Sequence, residues 1–123
     1  MKLTVLALSL GVLAAAAPAW AENTYVADNH FWELDCTGSG YALTSVYPVA
    51  RFREAGAASS VTDGRETLQL GRNCSATHPL FGEGSWCWAN GGFQAEFRDH
   101  RIGFPRQELH CPGAEAEIAK CGC

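Results

Sequence analysis

Apolar and polar positions alternate with a period of two along most of this chain, the mark of strands that bury one face. The clearest stretch is 84–97. Asn90-Gly91 predicts a type I′ turn, which needs positive φ at both central residues. Placing that pair at a hairpin tip sets Ala89 opposite Gly92, Trp88 opposite Phe93 and Trp86 opposite Ala95. Trp86, Trp88, Phe93, Ala95 and Phe97 then share one face, which their apolar area assigns to the core. Cys87, Gln94 and Glu96 share the other.

Further strands are expected around this hairpin. In 31–36, Trp32, Leu34 and Cys36 lie on one face and Phe31, Glu33 and Asp35 on the other. The glycine-rich 37–40 stretch is a turn. Residues 41–52 predict one or two strands, with Pro48 marking an edge or a break. Residues 65–70 predict a strand with Leu68 and Leu70 inward. Asp99-His100 predicts a turn, 101–104 a strand, and 106–111 another with Leu109 and Cys111 on one face. Residues 22–29 are expected as a loose lead, 55–64 as a loop with a tight Asp63-Gly64 turn, and 73–83 as a long connection. A short helical turn is expected over 114–120, with Glu115 and Glu117 early and Lys120 late, as the helix dipole favours. Short strands with frequent turns predict an all-β fold, a small antiparallel barrel or sandwich.

The first 21 residues change the picture of where this happens. Lys2, an apolar run over 3–17 and Ala19-Trp20-Ala21 match a secretory signal peptide. No cysteine stands at the cleavage point to carry a lipid. The expected mature part, 22–123, is one domain of 102 residues. No membrane span is expected. Without Lys2, eight basic residues face thirteen acidic ones, a net charge of about −5. That charge disfavours nucleic acid and suits a basic protein partner.

Six cysteines behind an export signal read as three disulfides: Cys36, Cys74, Cys87, Cys111, Cys121 and Cys123. Strand parity pairs Cys36 with Cys111. Parity opposes Cys74–Cys87 unless the chain is irregular before Cys74, and a single residue between Cys121 and Cys123 strains a bond between them. Those four are left open. No paired C-x₂-C spacing points to zinc. No cofactor or metal is expected.

His30, His78, His100 and His110 form no metal-ligating pair in the sequence and read as surface residues. Glu33 and Asp35 share a strand face, as a hydrolase's carboxylates would, but a solvated outer face explains them too. No Gly-x-Ser-x-Gly elbow appears, and the glycines read as turn residues. An enzyme is not expected. A disulfide-stabilised envelope module for carbohydrate or a small ligand is an alternative, marked by exposed tryptophans; a purely structural envelope protein is another.

From Leu68 to Cys111 the order of motifs resembles the periplasmic inhibitors of c-type lysozyme, the membrane-bound lysozyme inhibitor family. Leu68-Gln69-Leu70 looks like its Leu-x-Leu strand, residues 75–81 fall at its serine motif, and Trp88-Ala89-Asn90-Gly91 falls at its Trp-x-Lys-Gly. Cys36 and Cys111 match its closing disulfide. The resemblance implies a small secreted β-barrel and a c-type lysozyme as partner. It implies a contact surface made of Thr77, His78 and Phe81 in one loop and Asn90 and Gly91 at the hairpin tip. The motif serine is Thr77 here, which still donates a hydrogen bond. The motif glycine, tyrosine and lysine are His78, Phe81 and Asn90, so no positive charge stands at the lysine position.

Overall fold

The computed structural model describes residues 24–55 and 58–123. The expected signal peptide lies outside them. The described residues form ten strands and one short helix: β1 Thr24–Ala27, β2 His30–Thr37, β3 Gly40–Ser45, β4 Val49–Ala55, β5 Ala58–Gly64, β6 Thr67–Gly71, β7 Ser75–His78, β8 Gly82–Ala89, β9 Gly92–Glu96, β10 Arg101–Phe104 and α1 Glu115–Ile118. Eight strands pair in the order β1-β2-β3-β6-β7-β8-β9-β10, every neighbour antiparallel. This sheet curls until β1 lies beside β10, giving a nearly closed barrel. β4 and β5 pair only with each other, as a two-stranded ribbon inserted between β3 and β6.

The hairpin is organised as its sequence predicts. Asn90 and Gly91 have φ of 55° and 70°, and Trp86 faces Ala95, Trp88 faces Phe93 and Ala89 faces Gly92. Trp86, Phe93, Ala95 and Phe97 are buried, while Trp88 is half-buried. Phe93 stacks on Phe104 at 4.5 Å, and Tyr25 meets both rings edge-on. Such pairs add about 0.5–1.5 kcal/mol each beyond area burial. Each indole in the barrel has its N–H satisfied by a carbonyl. Trp32 donates to Ala27 O at 3.1 Å, Trp86 to Gly71 O at 2.8 Å and Trp88 to Ile118 O at 2.7 Å.

Several sequence expectations are corrected. Residues 24–27 are the first strand of the barrel rather than a loose lead. Asp28 and Asn29 turn the chain with φ of 52° and 61°, a second type I′ corner built from two residues that tolerate the left-handed region. Residues 58–64 are strand β5, and Asp63-Gly64 sits inside it opposite Ala50 and Val49. Part of the expected 73–83 connection is β7, which pairs with β6 and β8. Residues 106–111 are not a strand, because Arg106 adopts φ 56° and breaks the alternation after Pro105. Nor are the glycines only at turns. A side chain on Gly84 would collide with Glu96 O and one on Gly92 with Phe104 O, so both let neighbouring backbone approach.

Between β1 and β10 no ladder forms. The side-chain amide of Gln107 bridges the gap: Val26 N–H donates to its Oε1 at 2.6 Å, and its Nε2 donates to Val26 O at 2.7 Å. The Tyr25 hydroxyl donates to Glu108 O at 2.8 Å beside it.

Candidate functional site

The barrel has two unlike ends. One holds the turns at 38–39, 72–74 and 90–91 together with α1, and all three disulfides gather toward it. They are Cys36–Cys111, Cys74–Cys121 and Cys87–Cys123. The first is the pair that parity predicts. Cys36 follows the inward parity of Trp32 and Leu34 but sits exposed at the rim. The other two pairings staple the C-terminal segment to the wall. Cys74 has φ 68°, the irregularity that uncouples it from the parity of Leu70. The Trp88 backbone N–H donates to Cys121 O at 2.8 Å, so the last residues run against β8. Three disulfides fit an oxidising compartment such as the periplasm or the cell exterior.

The opposite end holds the turns at 28–29, 79–81 and 97–100 and the root of the β4–β5 ribbon. Here a carboxylate sits inside. Glu66 shares the inward parity of Leu68 and Leu70 and is buried with them. Arg51, inward with Val49 on β4, answers it in a two-pronged pairing: Nε donates to Oε1 at 2.6 Å and the second terminal nitrogen to Oε2 at 3.1 Å. The other guanidinium nitrogen reaches Asp28 at 3.0 Å. His78 Nε2 lies 2.7 Å from Glu66 Oε2.

His78 is 1% exposed, which corrects its reading as a surface histidine. Its Nδ1 accepts the backbone N–H groups of Leu80 and Phe81 at 3.1 and 3.4 Å. An acceptor nitrogen carries no proton, so the proton is on Nε2 and is donated to Glu66. Burial holds the His78 pKa below its ordinary value, against the opposing pull of Glu66. Burial also pushes Glu66 up, but the hydrogen bonds from Arg51 and His78 outweigh it and hold the carboxyl below its ordinary value. Arg51 is held above its ordinary value: burial opposes this, and Glu66 and Asp28 prevail.

An aromatic stack completes this end. The Phe81 ring lies between His78 at 4.4 Å and His100 at 4.1 Å, both nearly parallel to it. Arg51 stands 5.4 Å from the Phe81 centroid, and His100 reaches Asp28 at 3.5 Å. Asp28, Arg51, Glu66, His78 and His100 thus come together from five separate stretches of chain. Asp28, Glu66 and His100 touch the Arg51 guanidinium, and His78 joins them through Glu66. Among the described residues no histidine, cysteine and carboxylate group is arranged to hold a metal ion. Glu33 and Asp35 are exposed on the outer face of β2.

The residues implied as a contact surface fall apart into two groups. Thr77 is exposed on the outer face of β7, His78 is buried, and Phe81 is partly buried in the stack. Asn90 and Gly91 are exposed at the other end. The eight residues of β8 separate the two groups, about 25 Å at roughly 3.3 Å per residue. The sequence reading missed Arg51, Glu66, Asp28 and the ribbon. Parity held the signal for two of them: a carboxylate in step with Leu68 and Leu70, and an arginine in step with Val49.

Fold and site define a cystine-stapled, barrel-like β protein with a buried charge network at its unstapled end. Comparison with known protein families, curated proteins and solved structures gives no match.

Proposed function

We propose that this is a secreted or periplasmic binding protein of the kind that inhibits c-type lysozymes, and that it meets its partner with the unstapled end. The observation that carries this is the β4–β5 ribbon. Phe52 and Val61 face each other across it and are 65% and 67% exposed. Tyr47, just before β4, is 65% exposed. A two-stranded ribbon has little stability of its own, and an apolar pair held in solvent marks an interaction element. The Arg51–Phe81 contact ties the root of the ribbon to the 79–81 turn, so both belong to one surface.

A narrow ribbon suits a cleft. Arg51 is already committed to Glu66 and Asp28, and Asn90 is neutral and distant. Inhibition therefore works by filling the partner's cleft, not by neutralising its catalytic carboxylates. The test is lysis of a peptidoglycan suspension by a c-type lysozyme with the purified protein titrated in. Micromolar protein should suppress lysis, and Phe52→Ser with Val61→Ser should weaken this about tenfold while circular dichroism stays unchanged. Undiminished lysis at micromolar protein overturns the reading.

One observation favours a second reading, a module for carbohydrate or another small ligand. A trough of about 410 Å³ on the barrel wall is lined by Thr37, Ser39, Gln69, Ser75 and Thr77 with no charged side chain. Hydroxyl and amide groups of this kind suit a neutral polyhydroxy ligand. Calorimetric titration with chitin oligosaccharides in place of lysozyme separates the two readings.

A further inference from the structure

A cavity of about 350 Å³ lies at the cystine end, between α1 and the 108–110 stretch. Buried Leu109 and Ile118 and the half-buried Trp88 make its inner wall. The Trp88 indole N–H is already given to Ile118 O, so the indole adds aromatic surface and no free polar group to the cavity. Exposed Glu108, His110 and Glu115 also line it, with no lysine or arginine. The Glu115 carboxyl is held below its ordinary value by the backbone N–H groups of Glu115 and Gly113, so it is charged at neutral pH.

An apolar slot with an aromatic face and an anionic mouth recognises one chemistry, an alkyl stem ending in a cation. A planar guanidinium fits best, since it stacks on an indole and forks to carboxylates. The volume is at the small end for ligand sites and suits a single side chain. The chain's excess of thirteen acidic over nine basic residues draws a basic protein toward it.

We propose that the Trp88 cavity receives an arginine side chain of a basic protein partner. This site is at the opposite end from the ribbon and does not depend on the lysozyme reading. The test uses the disulfide-bonded protein and Nα-acetyl-arginine amide, followed through the indole N–H signals by NMR. The Trp88 signal should move saturably while those of buried Trp32 and Trp86 stay in place. The neutral isostere Nα-acetyl-citrulline amide should bind at least fivefold more weakly. Glu108→Gln with Glu115→Gln, two exposed substitutions that leave the fold intact, should weaken the arginine probe by a similar factor. Equal binding of the citrulline probe, equal binding by the double variant, or no saturation overturns the proposal. Tighter saturation of the same signal by spermidine overturns the assignment to a protein side chain.

Discussion

The two ends of this barrel are closed by different chemistry. At one end three disulfides and α1 tie the C-terminal segment to β2, to the 72–74 turn and to β8. At the other, Arg51, Glu66 and His78 lock together out of water, with Phe81 clamped between two imidazoles. The covalent staples act chiefly by restricting the unfolded chain and take no part in proton exchange. The charge network acts only while every partner is present and correctly protonated, since a buried charge left alone costs more than the pair contributes. The barrel therefore has a constitutive end and a conditional one. The ribbon and the 79–81 turn stand on the conditional end.

Three experiments bear on that contrast. The largest effect is expected from Cys36→Ser with Cys111→Ser, which opens a link across 75 residues. It should cost about 4 kcal/mol in urea unfolding. A loss under about 1 kcal/mol would mean that the rim holds without its staple. Next is Arg51→Ala, which strands Glu66 and should cost about 3 kcal/mol. Arg51→Met with Glu66→Gln keeps an acceptor for His78 and removes the charge, so it should recover most of that loss. Failure to recover would show that the ion pair, rather than the desolvation of a lone carboxylate, carries the stability.

The smallest effect is the pH dependence. His78 lies below its ordinary 6.5 in the folded chain, so the unfolded chain takes up the proton first. Its contribution is full above pH 6.5 and is lost as the pH falls toward the folded value. Glu66 is likewise below its ordinary 4.5, and its contribution is lost on further acidification below that pH. Urea midpoints should therefore fall between pH 7.5 and 5.5 and again below 4.5. Exchange of the Leu80 and Phe81 amides, which protonated His78 releases, should rise before that of β8 and β9. A midpoint that stays flat across this range would remove the distinction between the ends.

The cystine end was partly legible from sequence because its information is local. Asn90-Gly91 fixed a hairpin register that the wall keeps, and the parity of β2 put Cys36 in step with Trp32 and Leu34, although the second strand expected around Cys111 does not form. Cys74–Cys121 and Cys87–Cys123 were not legible, because Cys74 leaves the strand geometry and the C-terminal segment has no periodicity to count. The network end was nearly invisible. Its five polar residues come from five separate stretches, and each alone reads as an ordinary solvated side chain. Only Glu66, in step with Leu68 and Leu70, and Arg51, in step with Val49, carried a signal in the alternation. β1 was missed because four residues are too few to show a period, although Asp28-Asn29 offered the same corner chemistry as Asn90-Gly91.

The seam between β1 and β10 has a consequence for how the wall comes apart. Elsewhere along the circumference, separating two neighbours means unzipping a run of main-chain bonds. At this joint it means withdrawing one glutamine headgroup from Val26 and one phenol from Glu108 and His110. The circle is held shut there by a clasp rather than a weld, so the β1 amides facing that side are expected to exchange ahead of those inside the ladders.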